Sequence, residues 1–275
     1  MSFDQAIVVW CVVVPALVAA GAVWFASKFD GMIADTVVAL GWWFAVVAAM
    51  VGCHGFRWWP EESWQQGVWP LLAWALLMSG TASFGVLGWR WMMAGVIACW
   101  TAMVAMPSGD AWRDLFDLYR VWIPLLATSC LVNGFAAEHM ARHNASRWSL
   151  LVTVGGLLGP LVLAATTYGS LTQWGLAVVV ATFAASVVGM FQPQTRVWVI
   201  AFPAWGAATL IAASARFYTY ENHSPWLYGL ILFSPSLIAL IDRAMDGRTE
   251  RVRVIVSAAG SLFIVGSVCW LLLRA

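Results

Sequence analysis

The sequence predicts an all-α fold, a polytopic membrane bundle of about ten transmembrane helices. Three observations carry that prediction. First, 62% of the 275 residues are hydrophobic and only 10% are charged, whereas a soluble domain carries about 25% charged residues. So few charges cannot cover a water-soluble fold of this size. Second, the apolar residues come in nearly uncharged runs of about 17–22, the length that spans a hydrocarbon core roughly 30 Å thick. Third, these runs are continuous and do not alternate with polar residues, which excludes an outer-membrane β-barrel.

Taken in order, the first span covers residues 6–27. Only Asp4 precedes it, so it lacks the positive flank of a signal peptide and is longer than such a peptide's core; it reads as a retained span. A polar turn, Lys28 to Gly31, leads to the second span at 32–53. The stretch 54–66 is polar and holds Trp58, Trp59 and Trp64. It suits the headgroup layer, where an indole has both an apolar face and an N–H to satisfy. The third and fourth spans, 68–87 and 89–106, meet at Gly88 with almost no linker, and fusing them would give nine spans. Residues 107–120 read as a short amphipathic surface helix, and 121–137 as the fifth span. A polar turn with Glu138, His139, Arg142, His143 and Arg147 follows. The remaining spans are 148–168, 173–191, 197–215, 226–241 and a last one reaching about residue 273, with a charged loop at 242–253 before it.

Arginine and lysine in short loops stay cytoplasmic. With ten spans, Lys28, Arg90, Arg142, Arg147, Arg196, Arg243, Arg248, Arg251 and Arg253 share one side. Arg57, Arg113, Arg120, Arg216 and Arg274 share the other, smaller set. Both termini are therefore predicted outside, with loop 243–253 cytoplasmic, in a membrane of the bacterial inner or plasma type. The chain is one integral membrane domain, 1–275. It also admits two inverted halves of five spans, 1–138 and 139–275, because Val14-Pro15-Ala16-Leu17 can be laid on Gly159-Pro160-Leu161-Val162. An odd number of spans per half inverts the second half, as in many secondary transporters.

That superposition aligns two mid-span breaks. Pro15 interrupts the first span, and Gly155, Gly156, Gly159 and Pro160 interrupt the sixth. A backbone group without a partner in lipid costs several kcal/mol, so such a break has to be packed in protein or line a wet cavity. Plain packing is the bland account, since small residues let membrane helices approach closely. Asn133 is the other notable feature. Its amide has donors and an acceptor that its own helix cannot satisfy, so it should face a partner or a cavity. Ser234 and Ser236 flank a proline in the ninth span. Together Pro15, Asn133, Gly155, Gly156, Gly159, Pro160, Ser234 and Ser236 form the candidate substrate-binding set.

Other classes are weaker. No span has a charge at its centre, which argues against a carrier with a buried proton-carrying carboxylate. Asp35, Glu138 and Arg216 sit at span ends and read as interfacial. His139 and His143 share a helix face, but one pair with one carboxylate does not specify a metal. The five cysteines, Cys11, Cys53, Cys99, Cys130 and Cys269, form no CxxC and read as small buried hydrophobes. Of the twenty tryptophans, Trp24, Trp42, Trp69, Trp89, Trp122, Trp148, Trp174, Trp198 and Trp226 lie at span ends as an aromatic belt requires. Trp74, Trp100 and Trp205 lie deeper. The net charge of +1 supplies no basic stripe for nucleic acid. No catalytic motif, metal or cofactor is called for.

Ten short spans with small loops resemble the drug/metabolite transporter superfamily in span count and loop brevity, although no motif of that family is present and its termini usually face the other way. The resemblance implies transport. The expected function is a permease for a small uncharged or amphipathic solute, with its site between the first and sixth spans. The alternative is a non-catalytic membrane subunit or scaffold that docks a protein partner, or a second copy, through aromatic outer loops. An intramembrane enzyme would need a His/Asp/Glu cluster that the sequence lacks.

Overall fold

The computed structural model describes residues 3–55, 63–81, 87–106, 116–143, 148–192, 195–217, 224–245 and 247–274, and every element among them is helical. The chain opens with α1 (Phe3–Ile7), a π-helical stretch (Val8–Val13) and α2 (Val14–Ala26). Pro15 accounts for the wide turn. It has no N–H to offer the carbonyl of Cys11 four residues earlier, and one π turn carries the backbone past it. The helix is widened there but not broken.

Next come α3 (Gly31–His54), the short α4 (Ser63–Gln66), α5 (Val68–Thr81) and α6 (Leu87–Ala105). The second half of the chain runs through α7 (Phe116–His143), α8 (Trp148–Thr167), α9 (Gly169–Phe191), a 3₁₀ turn at Val197–Ile200 into α10 (Ala201–Phe217), α11 (Pro225–Ala244) and α12 (Glu250–Arg274).

Several boundaries differ from expectation. Of the predicted surface helix at 107–120, residues 107–115 lie outside the described set, and Phe116–Arg120 are the first turn of α7. The predicted polar turn from Glu138 is still helix as far as His143. The linker expected at 169–172 shrinks to Tyr168, because α9 already begins at Gly169. Residues 56–62 of the tryptophan-rich stretch, and 218–223 between the spans predicted at 197–215 and 226–241, lie outside the described residues. The larger correction concerns Gly155–Pro160. Helix α8 runs unbroken through it. The sharp bend is in α11, whose arms Trp226–Ser234 and Ser236–Ala244 meet at 57°. Pro235 sits at that joint, and a proline, having no N–H, leaves a carbonyl of the preceding turn without its helical donor.

Five of the described helices are long and apolar enough to cross a bilayer: Gln5–Ala26, Gly31–His54, Gly169–Phe191, Val197–Phe217 and Arg251–Leu272. The two arms of α11 make a sixth if taken as one span. The chain is therefore an integral membrane helical protein. The other predicted spans are helical but fall short of that measure. Helix α5 has 14 described residues, about 21 Å at 1.5 Å per residue, and α7 carries Asp117, Arg120, Glu138 and Arg142 towards its ends.

The bundle is organised around α10. Every residue of it except Arg216 is buried, and α5, α6, α7, α8, α9 and α11 all pack against it. In lipid an apolar face can equally meet hydrocarbon, so what suits α10 to the centre is the small size of its residues. Its alanines, with Gly206, let neighbours come close. An aromatic chain crosses at this level. Trp74 of α5 stacks on Phe202 of α10 with centroids 4.9 Å apart, and Phe202 meets Phe135 of α7 edge-on at 4.7 Å. Phe135 in turn lies 3.8 Å from Trp91 of α6. Gly134 leaves the room that Phe202 fills. Trp74 Nε1 donates to Thr101 Oγ1 at 3.1 Å, so the buried indole is satisfied.

The tryptophans divide differently from expectation. Trp42 and Trp174, placed in the belt by sequence, are core residues, and Trp42 Nε1 donates to Thr182 Oγ1 at 2.9 Å. Trp100, placed deep, is exposed. Helix α3 packs against α2, α5 and α9, and α2 also lies along α9.

Candidate functional site

The joint in α11 is where polar groups converge. Pro235 leaves the preceding turn short of a donor, and side chains supply replacements. Ser234 Oγ donates to the Ile231 carbonyl at 2.9 Å. From α7, Ser129 Oγ donates to the Leu232 carbonyl at 3.1 Å, and Asn133 Nδ2 donates to the same carbonyl. Asn133 Nδ2 also reaches Ser129 Oγ at 3.0 Å, while its Oδ1 accepts from Ser236 Oγ at 2.7 Å. Ser129 and Asn133 are one helical turn apart and so present to one face. Both are fully buried. All three partners of the amide come from the protein, and the cluster contains only an amide, hydroxyls and a carbonyl.

The predicted set is therefore partly assembled. Asn133 and Ser236 touch, and Ser234 is on the same joint. Gly159 of α8 faces it too, since a side chain added there would meet Ile231 Cγ1 at 3.6 Å. Gly156 and Pro160 are buried on the same helix. Gly155 lies on α8, but its surroundings are outside the described residues. Pro15 is not part of this group. It is buried in α2, which packs chiefly on α3 and α9. The junction is of α7, α8 and α11, where the sequence suggested the first and sixth spans.

Charges gather elsewhere, and among the described residues they meet in ion pairs. Arg90 Nη2 of α6 lies 2.5 Å from Glu138 Oε2 of α7, with the glutamate side chain 3% exposed. Arg196 Nη1 lies 3.4 Å from Asp35 Oδ2 of α3, and that aspartate is buried while the arginine is half exposed. Arg253 of α12 grips Asp242 of α11 with two bonds, Nη2–Oδ2 at 2.7 Å and Nε–Oδ1 at 3.2 Å. Asp35 and Glu138, expected at the interface, are thus buried and paired.

Sequence reasoning also missed Cys11 and Cys53, whose sulfurs lie 3.3 Å apart although 42 residues separate them. No short-range motif marks such a pair. Ser129 carried a signal, standing four residues before Asn133. So did Arg90, a charge within two apolar segments that needed a partner. Among the described residues no group of three or more His, Cys, Asp or Glu is arranged to hold a metal.

No protein-family model, curated protein or solved structure matches the chain.

Proposed function

We propose that this protein is a membrane permease for a small uncharged or amphipathic solute, and that the bent helix α11 is its moving part. The observation that carries the reading is the joint at Ser234–Ser236, bent by 57° and held by side chains of a neighbouring helix. Discontinuous membrane helices with freed backbone groups are the substrate and coupling sites of many secondary transporters. A carbonyl held by a serine and an amide can exchange those partners for a solute. A helix with a complete ladder offers no such group. Since the joint presents only amide, hydroxyl and carbonyl groups, a strongly ionic solute is disfavoured there.

Ten crossings fit this reading, with both termini outside. The ion pairs support it by parity. Asp35 and Arg196 meet, as do Arg90 and Glu138, so an even number of crossings must separate the members of each pair. Ten spans give six crossings between Asp35 and Arg196 and two between Arg90 and Glu138. All six paired charges, Asp242 and Arg253 included, then fall at the cytoplasmic end. Three pairs there would close one end of the bundle while the other opens.

A second reading has its own observation. The Asn133 amide is satisfied wholly from within the protein, as befits a structural staple in a scaffold or subunit. One experiment separates the two. Purified protein in liposomes is tested for flux of a panel of labelled neutral and amphipathic solutes, alongside Gly159→Leu, which would press on Ile231. Flux of a panel member that Gly159→Leu abolishes, with folding intact, supports the permease. If no panel member moves, and spin labels on the two arms of α11 report one fixed bend, the scaffold reading stands instead.

A further inference from the structure

We propose that Cys11 and Cys53 are an oxidisable pair that closes to a disulfide, tying the π-helical turn of the first span to the end of α3. The inference stands on geometry independent of the transport reading. Cys11 Sγ and Cys53 Sγ lie 3.3 Å apart as free thiols. Two close approaches between the same helices hold them there. A side chain at Gly52, next to Cys53, would overlap the ring of Trp10, next to Cys11. A side chain at Gly41, three turns earlier in α3, would overlap Ala22 of α2. The sulfurs therefore face each other across a seam that cannot easily widen. The π turn adds to this, because inserting a residue into a helix re-aims the side chains around it, and Cys11 lies within that turn. Cys11 is fully buried, whereas Cys53, one residue from the last residue of α3, is half-buried.

That asymmetry fixes the order of chemistry. The oxidant is a disulfide, either a small molecule or the disulfide of a thiol oxidase. The accessible Cys53 loses its proton and its thiolate attacks one sulfur of the oxidant. The oxidant's S–S bond breaks, releasing one thiolate and leaving a mixed disulfide on Cys53. Cys11 then gives up its proton and attacks Cys53 Sγ, forming the Cys11–Cys53 bond and expelling the second thiolate. The two protons end on the two released thiolates. Two electrons pass from the cysteines to the oxidant. With α3 ending outside, as the charge distribution predicts, this end of the hairpin faces the side of the membrane where disulfides persist.

The experiment treats the reduced full-length protein in detergent with dithiodipyridine, a small uncharged disulfide whose released thiopyridone is read by absorbance. The protein is then denatured, alkylated with maleimide and digested for mass spectrometry. Closure gives two thiopyridones per linked pair and one Cys11–Cys53 peptide pair two hydrogens lighter than its thiols, with neither maleimide nor thiopyridine on either cysteine. In Cys11→Ser, Cys53 should stop at the mixed disulfide. Gly52→Leu, which displaces Trp10, should slow closure while Cys99 reacts at its former rate. The proposal is overturned if Cys53 of the wild type keeps a stable mixed disulfide, if both sulfurs remain free to maleimide, or if Cys53 links as readily to Cys99 or Cys269. Alkylating intact cells before lysis adds whether the bond forms in place, and a linked peptide there supports the proposal further.

Discussion

At the scale of single residues, the most informative side chain is Asn133. In water a mid-helix asparagine would be solvated and of little consequence. Here it serves a carbonyl on another helix, so its value is set by what it leaves behind when removed. Asn133→Ala would strip a donor from the Leu232 carbonyl and an acceptor from Ser236. Leaving buried polar groups unsatisfied costs about 1–3 kcal/mol, and the lower end applies where polar groups in the bilayer find other partners. The purified variant should melt several degrees below wild type, and spin labels on α11 should report a broader distribution of bend. The Arg90–Glu138 pair makes a sharper case. Removing one member of a buried pair leaves a bare charge and costs about 3–5 kcal/mol. Glu138→Gln and Arg90→Met should each be severely destabilised in a thermal-melt assay, while the double variant should recover much of the loss. Additive losses would show that the two groups do not depend on each other. The need of Asn133 for a partner was legible in the sequence, because an amide's bonding capacity is fixed by its chemistry. Which partner it finds was not, because Leu232 meets it through a backbone carbonyl that every residue has.

At the scale of elements, composition told more about helices than about their irregularities. Prolines 15, 160 and 235 look alike in sequence, each in the middle of an apolar run. They have three outcomes: a π turn before Pro15, an unbroken helix through Pro160, and a bend of 57° beside Pro235. The difference lies in what neighbouring helices contribute. The bend in α11 is met by donors from another helix, Ser129 and Asn133 of α7, and that information is long-range. Pro235→Ala would restore the missing N–H. It should straighten α11, seen as a longer distance between spin labels near Trp226 and Ala244, and raise thermal stability while reducing any flux. Helix ends were misjudged for a related reason. Polarity at residues 138–143 reads as a turn, but α7 continues as helix because Glu138 is neutralised by Arg90 and a charged helix can leave the bilayer without ending.

At the scale of the whole molecule, the Asp35–Arg196 pair binds distant parts of the chain together, and the excess of arginine and lysine on one side of a ten-span chain predicts its orientation. Cysteines placed in the 243–253 loop of a chain cleared of its native ones should resist an impermeant maleimide applied to intact cells and react after permeabilisation. Labelling from outside would reverse the orientation. The membrane class was legible from composition alone. The centre of the bundle was not, since α10 reads as one apolar run among several, and only its excess of alanine hinted at its place. Gly206 shows how tightly that place is filled, since an added Cβ would lie 3.1 Å from both Leu71 and Trp74. Gly206→Leu should cost about 1–3 kcal/mol or more through overpacking and should appear as aggregation during size-exclusion chromatography. The same enclosure has a statistical signature. If every position were varied and survival scored, α12, with Leu262 and Phe263 facing outward, should show tolerance rising and falling with each helical turn. Helix α10, surrounded on all sides, should give a flat line: of its seventeen positions, all but Arg216 intolerant of added volume, with no beat of 3.6 residues between them.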